Sequence, residues 1–311
     1  MNSPPLPPQT AEQPNRLVLY WRLARFDKPV GILLLLWPTL WALWLAAQGA
    51  PDLPRLAVFV LGTVFMRAAG CVLNDLADRR FDGKVRRTAD RVLASGHVSV
   101  AEAVVLALLM LACAASLLQF LNDLAVQYAY VAVFVAAVYP YFKRFFPMPQ
   151  AILGLAFGFG IPMAFADTHG QVPMVAWLLV VANLVWAIAY DTAYAMVDRD
   201  DDQLLGLRSS ARTFGAFDLL AVGLCQATFL SIMASLPFFV GLGLIYWAGW
   251  LLALGYSARL WWRLRSRSRL DSFWVFRRHH WLGAFLFLGM AADFAAVSLF
   301  GFSTQFLTKG S

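Results

Sequence analysis

Long, nearly uninterrupted apolar stretches dominate the chain. Nine of them reach the ~20 residues that a helix needs to cross a bilayer. They run over about 30–47, 56–76, 100–121, 124–145, 150–167, 173–191, 216–235, 237–262 and 280–302. The third and fourth are broken only near Asn122 and Asp123, and the seventh and eighth divide at Pro237. The pattern predicts an all-α, polytopic membrane protein with nine transmembrane helices. A Pro-rich polar stretch over residues 1–15 predicts a disordered tail. Residues 16–311 then form a single nine-helix domain.

Composition agrees. Of 311 residues 60% are hydrophobic and only 14% charged, against roughly 25% charged in a soluble domain. The net charge of +7 would suggest nucleic acid in a soluble protein. Here the basic residues cluster between the apolar spans, so topology explains them and no nucleic-acid partner is expected. Of the 25 Lys and Arg residues, all but Arg55, Arg67 and Lys309 fall in the tail or in alternate loops. The positive-inside rule then puts the N-terminus and these loops in the cytoplasm, which for a bacterial chain means the inner membrane. Two of the loops, about 77–99 and 192–215, are long and polar. Each follows an acid-rich helix end, and four spans separate them, which hints at a duplicated four-helix unit. Cys71, Cys113 and Cys225 stand apart inside apolar runs, which argues against disulfides or a zinc site.

The chemistry lies in two acidic clusters. In NDLADRRFD (74–82), Asp75, Asp78 and Asp82 share one helix face, with Asn74 beside them and Arg67 two turns deeper. In YDTAYAMVDRDDD (190–202), Asp191, Asp198 and Asp202 also share a face, with Tyr194 between the first two. Superposed, both read D-x-x-[D/Y]-x-x-x-D. An ionised carboxylate costs roughly 2.5–3.5 kcal/mol at mid-membrane, and carboxylates on one face repel one another. A divalent cation among them removes both penalties. Oxygen ligands without His or Cys select Mg²⁺ or Ca²⁺, and Mg²⁺ characteristically takes phosphate oxygens as further ligands. Arg86, Arg87 and Arg91 of the first loop offer guanidinium forks for phosphate. The two clusters therefore predict a diphosphate held through magnesium. Tyr139 and Lys143, in YPYFKR (139–144), lie one helical turn apart at the cytoplasmic end of the fourth span. Asp293, mid-span in GMAADFAAV, is an intramembrane acid outside both clusters, and no site role is assigned to it. His279 and His280 read as solvated interfacial residues, and Gly154, Gly158 and Gly160 as close helix packing.

These strings, together with RFDKPVGILLLLWPTLWALW (25–44), resemble the UbiA superfamily of intramembrane prenyltransferases over nearly the whole chain. They are most similar to its branch that acts on 4-hydroxybenzoate in ubiquinone synthesis. The resemblance implies nine helices around a central cavity and Mg²⁺-dependent transfer from a polyprenyl diphosphate to an aromatic ring, within the lipid bilayer and with no protein partner. By position it assigns Asn74 and Asp78 to one Mg²⁺, with Asp75 and Asp82 nearby. Asp191 and Asp198, with Asp202 beside them, fall to a second. Tyr139, Lys143, Tyr194 and the loop arginines fall to the diphosphate, and Arg67 to the acceptor's carboxylate. Tyr194 departs from the D-x-x-D form and leaves open how many protein ligands the second metal has. Acceptors such as dihydroxynaphthoate, homogentisate or haem share the metal logic. A divalent-cation transporter is the reading from another class.

Overall fold

The computed structural model describes residues 15–83, 87–142 and 144–300, and among these every regular element is helical. In chain order they are α1 (Arg16–Leu23), α2 (Val30–Ala46), α3 (Leu53–Asp82), α4 (Val100–Ser116), α5 (Asp123–Phe142), α6 (Pro149–Gly158) and α7 (Gly160–His169). Then come α8 (Met174–Val197), α9 (Arg199–Leu204), α10 (Ser210–Phe214), α11 (Asp218–Val240), α12 (Leu244–Leu264), α13 (Arg269–Arg278) and α14 (His280–Phe300). Residues 1–14, Lys84 to Arg86, Lys143 and 301–311 lie outside the described residues; the sites expected at Arg86 and Lys143, and most of the N-terminal tail, fall there.

Seven segments are long and apolar enough to span a membrane, and α2 is a shorter apolar helix of 17 residues. The eighth expected span, α12, has 21 residues but carries Arg259, Arg263 and several Trp and Tyr, which dilute its apolarity. Where α4 and α5 face outward they expose Val105, Leu108, Leu109, Tyr130 and Phe134. An apolar surface of this kind suits lipid and not water.

Several boundaries differ from the sequence expectation, each for a local reason. The fifth span is two helices that meet at Phe159. Gly160 lets α7 cross α2 closely, since a Cβ there would fall 2.4 Å from Thr39 Oγ1. Gly154 packs against Ala187 and Leu184 of α8, and Asn183 of α8 donates to its carbonyl at 2.9 Å. The three glycines of this region thus serve helix contact. Pro237 does not end α11, which continues to Val240. A proline there removes the N–H that would pair with Met233 O. The Tyr246 hydroxyl of α12 supplies a donor instead, at 2.7 Å, and the chain turns at Gly241, whose φ of +71° suits glycine.

Asp293 of α14 accepts the Gly243 N–H at 2.6 Å and the Tyr246 N–H at 3.4 Å. It caps the start of α12 from a neighbouring helix, a structural use of an intramembrane acid. His279 is not solvated: it is buried at the α13–α14 junction, beside Gln226 at 3.0 Å and Val275 O at 3.1 Å. In the core, Trp186 stacks on Phe229 with ring centroids 5.4 Å apart, and the Trp41 indole donates to Gly283 O at 3.1 Å. The cysteines are free thiols.

Candidate active site

The α3 helix runs unbroken from Leu53 to Asp82, so Arg67, Asn74, Asp75, Asp78 and Asp82 keep the periodicity read from their spacing. The second cluster behaves differently. Asp191 and Tyr194 sit on α8, but the helix stops at Val197, and Asp198 adopts φ −103°, ψ 8°. Its carbonyl accepts the Asp202 N–H at 2.8 Å, which starts α9. Three acids in the first turn of α9, Asp200 to Asp202, favour a helix start at this point. The second motif is therefore two short helical faces joined at Asp198.

Both clusters nevertheless open into one cavity of about 460 Å³. Its wall includes Arg67, Asn74, Asp75, Asp78 and Asp82 from α3, and Asp191, Tyr194, Asp198 and Asp202 from α8 and α9. Arg87 and Arg91 line it from the loop after α3, and Tyr139 from α5.

Guanidinium groups stand among the carboxylates. Asp75 is 2% exposed and takes Arg25 Nη2 at 2.8 Å and Arg91 Nη1 at 2.9 Å. Arg91 Nη1 also reaches Asp82 at 2.8 Å. Burial pushes the Asp82 carboxyl up, against the pull of Arg91, and the neighbouring charges of Asp75 and Asp78 add to the rise. Arg87 forks onto Asp198, with Nε at 2.9 and 3.0 Å from its two oxygens, and stacks 4.5 Å over the Tyr194 ring. Tyr194 in turn stacks on Phe276 at 4.3 Å. The Tyr139 hydroxyl donates to Asn74 Oδ1 at 3.1 Å.

Among the described residues no group of three or more His, Cys, Asp or Glu side chains is drawn together as a metal site. The donor chemistry is still all oxygen: one amide carbonyl and several carboxylates around one cavity, which fits a hard divalent cation. Arginines neutralise Asp75, Asp82 and Asp198 in this arrangement.

Arg67 is a different case. Its Nη1 donates to Cys71 Sγ, its Nε is buried without a partner, and among the described residues it pairs with no carboxylate. It lies where the polar cavity meets a second, apolar one of about 380 Å³, lined by residues such as Leu35, Phe59, Met66, Leu111, Val133 and Met163. Arg67, Tyr139 and Phe157 border both cavities.

Sequence reasoning did not reach every wall residue. In the sequence Arg25 is one of the basic residues of the N-terminal entry and the first residue of the 25–44 string, with no contact implied. It sits in the turn between α1 and α2 at φ +61°, and no spacing rule links it to Asp75 fifty positions later. Tyr190, Thr88, Gln150, Arg208 and Arg277 also line the polar cavity. Tyr190 adjoins Asp191 in the quoted motif, but nothing in its type or spacing distinguishes it from a packed aromatic.

Comparison with known proteins gives the same picture. The family model described as "UbiA prenyltransferase family" matches residues 35–292. A protein of Burkholderia ambifaria named 4-hydroxybenzoate octaprenyltransferase is 53% identical over 279 residues, 90% of this chain and 96% of its own. Among solved structures, a UbiA homolog from Aeropyrum pernix superposes with a TM-score of 0.74 at 24% identity, over 88% of this chain and 99% of that one. A UbiA homolog from Archaeoglobus fulgidus bound to GPP and Mg²⁺ gives 0.66 at 21% identity, over 90% and 100%. The structural matches carry the fold, and the sequence matches carry the kinship. With its paired acidic helix ends around one cavity, the chain belongs to the UbiA prenyltransferase family.

Proposed function

We propose that this chain is a Mg²⁺-dependent aromatic prenyltransferase of ubiquinone biosynthesis. It transfers a polyprenyl group from polyprenyl diphosphate to the ring carbon ortho to the hydroxyl of 4-hydroxybenzoate and releases diphosphate. The observation that carries this reading is the adjoining pair of cavities: a polar one ringed by acids and arginines, an apolar one beside it, and the Arg67 cation in the wall they share. The name of the B. ambifaria relative supports the acceptor, and the Mg²⁺ and GPP of the A. fulgidus homolog support the metal and donor class.

In this reading Asn74, Asp78, Asp191 and Asp198 hold Mg²⁺, with Asp75, Asp82 and Asp202 around them. The metal supplies charge neutralisation for the departing diphosphate. Arg87, Arg91, Tyr139 and Tyr194 then bind diphosphate oxygens, and Arg86 and Lys143 are assigned the same role by position. Ionisation of the allylic C–O bond leaves a carbocation, the acceptor's ortho carbon attacks it, and the ring loses a proton. Aromatic faces on the wall favour the cation. The apolar cavity takes the start of the prenyl tail and keeps water from the cation. Arg67 orients the acceptor through its carboxylate. Nine membrane spans, a cytoplasmic N-terminus and an inner-membrane setting complete the proposal, with α2 as a short span and α12 as one of lower apolarity.

The test is direct. Purified protein, a short allylic diphosphate, 4-hydroxybenzoate and Mg²⁺ should give prenylated hydroxybenzoate. Product should disappear with EDTA and in Asp78→Ala and Asp191→Ala. Product from dihydroxynaphthoate alone would overturn the acceptor assignment.

A further inference from the structure

Arg67 needs an explanation that its own contacts do not provide. A buried guanidinium is tolerated when a counter-charge or a full set of acceptors satisfies it. Here the Nε has no acceptor, and among the described residues no carboxylate answers the charge. What locates the fork is space. Gly31, buried in the first turn of α2, lies directly beneath it. A Cβ built on Gly31 would sit 2.4 Å from Arg67 Nη2, 2.5 Å from Nε and 2.9 Å from Cζ. Three atoms of the guanidinium plane therefore rest in the volume that any other residue's side chain would fill.

We propose that Gly31 is the specificity-determining position of the acceptor site: its missing side chain seats the Arg67 guanidinium, and that seat sets the requirement for a carboxylate on the acceptor. The inference rests on the reading of function given above. Ordinary contact begins near 3.4 Å, so a methyl group at position 31 forces the fork to retreat by roughly 1 Å. Charge-assisted bonds to a carboxylate are made at about 2.7–2.9 Å, and a displacement of that size breaks a two-pronged contact. The backbone of α2 need not move, because the arginine is the flexible partner. Alanine is also the better helix former. The substitution thus displaces one cation while leaving the fold in place, and Gly31 acts as a positioning residue through Arg67.

The experiment compares the wild-type full-length protein, Gly31→Ala, Arg67→Ala and the double variant in detergent, with 4-hydroxybenzoate and its neutral analogue 4-hydroxybenzamide. Gly31→Ala should raise the KM for 4-hydroxybenzoate, and weaken its equilibrium binding, by roughly 10- to 100-fold. The KM for the prenyl diphosphate and the melting temperature should hold. Preference for the acid over the amide should shrink toward that of Arg67→Ala, and adding Gly31→Ala to Arg67→Ala should cost nothing further. An unchanged KM for the acid, or an equal loss in the Arg67→Ala background, overturns the inference alone. A wild-type protein that neither binds nor prenylates 4-hydroxybenzoate overturns the functional reading and the inference with it.

Discussion

Replacing Arg87 by alanine should strengthen the binding of Mg²⁺ to the protein without substrate, although the same residue is assigned to diphosphate. The guanidinium is forked onto Asp198, with Nε 2.9 and 3.0 Å from its oxygens, and the carboxylate side chain is only 12% exposed. A metal that takes Asp198 as a ligand must first displace this pair. A hydrogen bond to a charged group is worth about 1.5–3 kcal/mol, which corresponds to roughly a 10- to 100-fold change in an equilibrium constant. Arg87→Ala removes that competition and also a positive charge beside the site. Metal affinity measured by calorimetry, or by Mn²⁺ titration followed by electron paramagnetic resonance, should therefore tighten by up to that factor. Affinity for the prenyl diphosphate in the presence of metal should fall. Arg87→Lys, a point charge without the fork, should lie between. Weaker metal binding in Arg87→Ala would refute the idea that arginine and magnesium compete for the same carboxylate.

Two further outcomes follow from the packing. Tyr246→Phe leaves the buried Met233 carbonyl without a donor and should destabilise by about 1–3 kcal/mol. In a Pro237→Ala background, where a backbone N–H returns, the same change should cost less; equal costs in a thermal unfolding cycle would show that the two sites are uncoupled. Gly160→Ala forces a Cβ onto Thr39 Oγ1 and should cost about 1–3 kcal/mol, with partial recovery in Thr39→Ala when melting temperatures are compared.

Much of the site was legible before the fold because an α-helix converts spacing into a shared face. The residues of α3 are the clearest case: steps of seven, four and four place Arg67, Asn74, Asp78 and Asp82 along one wall. The same arithmetic failed at Asp198. A run of acids reads alike whether a helix continues or restarts, and the turn at Asp198 depends on a backbone bond to Asp202 that composition does not encode. Pro237 misled because a proline's missing donor is a local fact, while its replacement by the Tyr246 hydroxyl comes from another helix. His279 misled for a related reason. It is a polar residue at the end of a span, and whether it meets water or a neighbouring side chain is decided by which helix packs beside it. The arginine partners of Asp75 and Asp198 lie outside any helical repeat and became visible only with the tertiary fold.

Aspartates at opposite ends of the bundle also differ in how firmly they are bound. Asp293 answers to main-chain amides of α12, which cannot swing aside without unravelling the helix they begin. Asp198 answers to the tip of a long side chain, which can rotate away and leave the backbone untouched. One carboxylate is therefore a rivet and the other a socket, and the difference is written in the donor rather than in the acid.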